Sequence, residues 1–284
     1  MRRKGKLKAF ILALGIAGLL GMTACQNSTS KLPDLSGMGK VAAVSREEGS
    51  GTRMEFETLL DTSEAGAKIV ATSTDEVNRQ IADNKNAIGY MAYSGNALSD
   101  QTKQIKVNGK ILSPQSIQKG KYPLCRNYYI AYRGELSAVG QDFLSYMMGK
   151  GQKIVGKNCV PVKKETTFLS DKSKGTLTIK GSTSAESLIE EMIKDYQTYN
   201  PNAKIRMISS DSSMGLTAAI RGECDLAVSS RDLKDYESEL LTSKAFAKDG
   251  IAIVVNKDNP IEDLSVKQIK KLYDGDCKKW ADLK

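Results

Sequence analysis

Residues 45–53 read Ser-Arg-Glu-Glu-Gly-Ser-Gly-Thr-Arg and concentrate hydroxyl, glycine and guanidinium groups in one short stretch. These are donor groups rather than a nucleophile with its base. Gly49 and Gly51 allow the backbone to curl close to a ligand. Ser50 and Thr52 add hydroxyl donors, and the Arg46 guanidinium can grip an oxyanion with two parallel N–H groups. A helix-like run over 54–60 follows, so the loop precedes a helix N-terminus. There the first N–H groups have no intrahelical partner and the helix dipole is positive. The sum is a cradle for a small anion. One such loop describes any capped strand–helix junction equally well. The pattern recurs, however, at residues 181–184, 209–215 and 229–231. Many neutral donors with one or two arginines suit a doubly charged tetrahedral oxyanion, whose oxygens they can satisfy without water.

The elements that must position these loops follow from hydropathy. Strands are expected at 41–44, 68–70, 87–93, 122–132, 176–179, 205–208, 225–228 and 251–256. A hairpin is expected over 103–112 around Asn108-Gly109. Helices are expected after the first loop, from Ser73 to Ile81, over 113–118 and 139–148, after the 209–215 loop through Ile220, and over 265–273. Another carries the stripe Leu188, Ile189, Met192, Ile193, Tyr196, with Thr183 and Glu186 spaced as a capping box. Strands alternating with helices predict an α/β fold with largely parallel sheets. In such sheets ligands sit at the carboxyl ends of strands, where the hydroxyl-rich loops fall. Residues 163–175 are polar and aperiodic, and read as a linker.

Composition excludes several chemistries. The chain has 284 residues and no histidine, which removes histidine-based triads and histidine metal ligands. Cys125, Cys159, Cys224 and Cys277 match no zinc spacing, while disulfides and burial as free thiols both remain open. The formal charge is +9, but residues 1–24 hold five Lys/Arg and no acid, leaving +4 from residue 25 onward. No basic patch interleaved with aromatics marks a nucleic-acid surface. Arg2, Arg3, Lys4, Lys6 and Lys8 precede an apolar run over 9–22, the layout of a secretory signal. The ending Met22-Thr23-Ala24-Cys25 resembles a bacterial lipobox. It implies a signal peptide over 1–24, a lipidated Cys25 and a tether over 25–37.

The segments Lys180-Gly181-Ser182-Thr183-Ser184, Ser229-Ser230-Arg231-Asp232, Asp249-Gly250-Ile251-Ala252 with the residues up to Pro260, and the 45–53 motif together resemble the phosphate-binding lipoproteins of bacterial phosphate ABC transporters. Ile88-Gly89-Tyr90 and Tyr122-Pro123-Leu124 are similar to the same family, and the likeness extends over nearly all of 38–284. The half that carries the 45–53 motif leads here, whereas in the family it follows the Gly-Ser-Thr-Ser half. The resemblance therefore implies a circularly permuted, two-lobed type 2 periplasmic-binding-protein fold, with 163–175 joining the family's old ends. One lobe would be contiguous, 97–252, and the other would pair 38–94 with 256–284. Crossovers would lie near 93–98 and 252–256.

Carried over residue by residue, the resemblance places Arg46, Ser50, Gly51, Thr52, Thr183, Ser184, Ser212 and Ser230 around inorganic phosphate, with Glu48 steering Arg46. The family's glycine-rich loop is here Asp211-Ser212-Ser213-Met214-Gly215, and Ser230 stands where some members carry an aspartate that accepts the phosphate proton. Asp211 is the expected replacement acceptor, with Glu48 the other possibility; Arg53 and Arg231 are expected at the rim. The implied protein is a monomeric, lipid-anchored extracytoplasmic binder that hands phosphate to a membrane permease. It would use no cofactor or metal, and would be no enzyme. Binding of another oxyanion (sulfate or molybdate) and a sensor or adhesion role on the same fold are the alternatives. A hydrolase using Ser50 or Ser212 is disfavoured by the missing histidine.

Overall fold

The structure, a computed structural model, describes residues 32–94 and 98–284. The expected signal peptide, Cys25 and most of the tether lie outside the described residues. From the N-terminal side, β1 (Ala42–Arg46) leads through the motif loop into α1 (Gly51–Leu60), followed by β2 (Ile69–Ala71), α2 (Thr74–Ala82) and β3 (Ala87–Ala92). β1 pairs in parallel with both β2 and β3, the geometry that intervening helices permit. β4 (Thr102–Gln104), β5 (Lys106–Val107), α3 (Pro114–Gln118), β6 (Cys125–Tyr132), α4 (Ala138–Met148), α5 (Gln152–Asn158) and β7 (Val160–Pro161) come next. Then β8 (Gly175–Ser182), α6 (Glu186–Tyr199), β9 (Ala203–Ser210), α7 (Ser212–Arg221) and β10 (Leu226–Ser229) repeat the alternating pattern. α8 (Asp235–Leu240), β11 (Thr242–Asn256), β12 (Asp263–Leu264) and α9 (Val266–Asp274) complete the chain.

One continuous sheet runs in the order β2-β1-β3-β11-β6-β10-β8-β9. Its two ends are parallel, as the alternation predicts. Its middle is antiparallel, because β11 and β6 run against each other and against β3 and β10. Two large hydrophobic cores form on this sheet, with a smaller third cluster of Ala131, Leu216, Ala219, Ala227 and Leu241. The first contains Val44, Phe56, Tyr90, Ile253 and Trp280. The second contains Tyr128, Phe143, Ile189, Tyr196 and Phe246. The chain passes between them between Leu124 and Tyr128 on β6 and again between Ala247 and Ile251 on β11, and it touches the first core at Val160 of β7 before returning to the second.

This division differs from the expected one. Ile105, Val107, Leu112, Ile117 and Leu124 pack into the first core, and β4 pairs with β11 there, so residues 102–124 do not join the 126–249 segment. Their apolar residues are scattered singly through a polar stretch, which leaves no periodicity to assign them by. At Asn108-Gly109 both residues have positive φ, 51° and 71°, as the hairpin turn requires. Yet β5 pairs with β12 rather than with β4. Residues 163–175 carry no helix or strand before β8, as expected, but they are pinned. Buried Asp142 accepts from Ser170 Oγ at 2.6 Å and from the Asp171 N–H at 3.2 Å, and the Phe168 ring packs against Tyr146. All four described cysteines are free thiols. Lys40 bridges Lys279, bringing the start and end of the described fold side by side.

Candidate anion-binding site

Ser50 caps α1, accepting from the Arg53 N–H at 3.4 Å, and the first intrahelical bond runs from Met54 N to Ser50 O. Asp211 caps α7 in the same way, accepting from Met214 N at 2.7 Å. The two helix N-termini meet across the boundary between the cores. A Cβ on Gly51 would lie 2.3 Å from Ser212 Oγ and 2.5 Å from Ser230 Oγ, so only glycine permits this approach. Gly49 has φ of +89° and faces the Asp211 carboxylate, and its carbonyl accepts from Ser213.

Arg46 ends β1 inside this junction, 1% exposed. Glu47 holds it with two parallel bonds of 2.8 Å to Nε and Nη2, and Nη2 also donates to Thr183 Oγ1 of the second half at 3.0 Å. Nη1 is buried with no partner among the described residues. A buried, unpaired cationic N–H group costs on the order of 1–3 kcal/mol or more, so this nitrogen is the strongest mark of a place for an acceptor.

Hydroxyls from both halves meet one another at the same junction. Thr52 Oγ1 and Ser184 Oγ lie 2.7 Å apart across the boundary. Ser182 Oγ donates to Ser230 Oγ at 2.9 Å, Ser230 Oγ lies 3.3 Å from Ser212 Oγ, and the Ser230 N–H donates to Ser212 Oγ at 3.1 Å. Thr52, Ser184, Ser212 and Ser230 are all buried. Thr183 and Glu186 do not form the expected capping box: Thr183 takes Arg46, and Glu186 accepts from Ser209.

The expected residues thus converge from both halves, with one correction of role. Glu47, not Glu48, steers Arg46; Glu48 lies in the exposed turn after the strand. Asp211 lies at the junction as a half-buried helix cap. Arg53 pairs with Glu57 at 2.8 Å and Arg231 with Glu237 at 2.8 Å. Arg53 also donates to the Arg46 carbonyl, and Arg231 to Ser213 Oγ, so both brace the loops from behind.

Sequence reasoning missed two groups. Arg126 on β6 and Asp249 on β11 form an ion pair with neither side chain exposed, and Arg126 Nη1 donates to Thr52 Oγ1 at 2.7 Å. The signal was the phase of β6, in which Arg126 falls in register with buried Tyr128 and Ile130. The second group is Glu64, which accepts from Ser45 and sits 3.3 Å from Arg53 behind the loop. Burial pushes its carboxyl up to about 7, against the hydrogen bonds from Ser45 and Tyr90 and the charge of Arg53. Nothing in its local sequence marks it, since the contact spans nineteen positions.

Comparison with known proteins agrees with this geometry. The model of the PBP superfamily domain matches residues 27–150 and 166–284. The phosphate-binding protein PstS 2 of Streptococcus pneumoniae (strain TIGR4) is 34% identical over 99% of this chain and 100% of its own length. PstS 2 of Streptococcus agalactiae serotype V is 32% identical over 99% of each. A crystal structure of a phosphate-binding protein of a phosphate ABC transporter from S. pneumoniae TIGR4 superposes with a TM-score of 0.71 at 34% identity, covering 87% of this chain and all of that one. The chain therefore belongs to the PBP superfamily, in the family of the phosphate-binding proteins of phosphate ABC transporters, and its α/β architecture is that family's type 2 fold.

Proposed function

We propose that this protein captures inorganic phosphate outside the cytoplasm and delivers it to the membrane permease of an ABC transporter. The observation that carries the reading is Arg46 Nη1, a buried cationic donor without a partner among the described residues, on a guanidinium whose Nη2 donates to Thr183 at a junction where hydroxyls of both halves meet. Arg46 is the charge partner. Ser50, Gly51 and Thr52 donate from the α1 N-terminus, and Thr183, Ser184, Ser212 and Ser230 from the other side. Asp211, with one carboxylate oxygen engaged as a cap, is the proposed acceptor for the proton of hydrogen phosphate. No bond is made or broken. The two cores act as lobes that close on a dehydrated anion and reopen on the permease.

The same reading places a lipid on Cys25 and the protein on the outer face of the membrane as a monomer. No helix among the described residues is long and apolar enough to cross a membrane. The permuted order is supported by the adjacency of residues 40 and 279, and by the pinned 163–175 segment, which would join the former ends. Its streptococcal relatives align with it over nearly their whole length.

Equilibrium dialysis with labelled phosphate, challenged by excess unlabelled sulfate and molybdate, tests the proposal. Retention of label under that challenge supports phosphate capture. Displacement by sulfate or molybdate would transfer the site to another oxyanion, and no retention at all would contradict the reading.

A further inference from the structure

We infer that the Arg126–Asp249 pair is a hinge lock that sets Thr52 and Ser184 as anion donors, which makes Arg126 a positioning residue for the ligand. The inference rests on the phosphate reading of the same site. Arg126 and Asp249 are register partners on adjacent antiparallel strands. Each stands where its strand passes from one hydrophobic core to the other. The pair therefore spans the two places about which the halves can turn.

The five N–H groups of Arg126 are all engaged. Nε and Nη2 each donate to Asp249 Oδ2 at 3.0 Å, and Nη2 also donates to Tyr128 OH at 3.1 Å. Nη1 donates to Thr52 Oγ1 at 2.7 Å and to the Ser230 carbonyl at 3.3 Å. No N–H is left for an anion, so Arg126 acts through Thr52. Having accepted from a cation, Thr52 Oγ1 turns its own proton outward, toward Ser184 Oγ or an oxyanion. Asp249 reaches the other hydroxyl's backbone: its Oδ1 accepts from the Ser94 N–H at 2.9 Å and its Oδ2 from Tyr128 OH at 2.8 Å. Tyr128 OH and Ser94 Oγ both approach the Ser184 carbonyl, at 3.2 and 3.3 Å. Thr52 and Ser94 belong to the first half, and Ser184 and Ser230 to the second. A turn of one half on the other must break part of this set, so donor orientation is tied to closure. A lysine would keep the charge but lose the fork that serves Asp249 and Thr52 together.

The test is a cycle of phosphate titrations by calorimetry on the parent protein, Arg126→Lys, Thr52→Val and the double variant. Arg126→Lys is expected to weaken phosphate binding about tenfold or more, the scale of a lost hydrogen bond to a charged group. In the Thr52→Val background the same change is expected to add less than about twofold, because the hydroxyl it positions is gone. Thr52→Ser restores the hydroxyl and is expected to restore the Arg126 effect. If Arg126→Lys fails to fold by circular dichroism, Asp249→Asn takes its place in the cycle with the same expectation. Additive losses, or full affinity in Arg126→Lys, would overturn the lock while leaving phosphate binding intact. A parent protein that binds no phosphate would overturn both readings.

Discussion

Arg46 is the residue on which the site turns, because its position combines full burial, a carboxylate that fixes its plane and one unpaired nitrogen. Truncating one partner of a buried, hydrogen-bonded charge pair costs about 2–5 kcal/mol. Arg46→Ala is therefore expected to weaken phosphate at least about thirtyfold in a calorimetric titration. Glu64 makes a separate, pH-dependent prediction. Its carboxyl rises from 4.5 to about 7 on folding, so between these values the folded state binds more protons than the unfolded state. Stability must then fall as pH rises through this window and level off above about 7. Urea unfolding from pH 5 to 8 is expected to show that slope. Glu64→Gln is expected to abolish it and to be the more stable form at pH 8, by on the order of 1–3 kcal/mol. Arg46, Thr52 and Ser212 were legible in the sequence because each sits in a local motif. Glu64 and Asp249 were not read as part of the site, because their partners are distant in the chain and burial alone gives them meaning.

At the scale of elements, the N-terminus of α1 and that of α7 form the jaws of the site. Gly51→Ala places a methyl group against Ser212 and Ser230 of the facing half, and overpacking of this kind costs about 1–3 kcal/mol. Because the collision arises only when the halves meet, phosphate affinity is expected to fall about five- to a hundredfold. The unliganded melting temperature is expected to stay near that of the parent, and calorimetric titration with thermal melts separates the two effects. The helices and parallel strands at both ends of the sheet were legible from hydropathy period and capping residues: Ser73 caps α2 and Ser265 caps α9 as their positions predict. The length of β11 was not. Its first part, Thr242–Ala247, alternates little and carries Lys244, so pairing with β6, and with β7 at Ala247, defines it as strand.

For the whole molecule, the proposed function needs two large cores that can move on each other, and among the described residues the long strands β6 and β11 both run through the boundary between them, with Val160 of β7 beside β11. The family resemblance implied two lobes with crossings near 93–98 and 252–256, and the structure sets the division elsewhere, since the weakly patterned residues 102–124 declare their core only through packing. Closure on a ligand that binds the folded, closed form stabilises it by mass action. At phosphate a hundredfold above Kd this amounts to ~2.7 kcal/mol, or a rise in Tm of roughly 5–10 °C for a chain of this size. A scanning melt with and without phosphate checks this; an unchanged Tm at saturating phosphate would contradict it. Arg46 is proposed to hold phosphate between the two halves. The most direct test is calorimetric titration of the purified protein and Arg46→Ala with phosphate and with sulfate. The parent is expected to bind phosphate saturably and sulfate little or not at all, and the phosphate signal is expected to collapse in Arg46→Ala. Undiminished phosphate binding by Arg46→Ala, or none by the parent, would contradict this role.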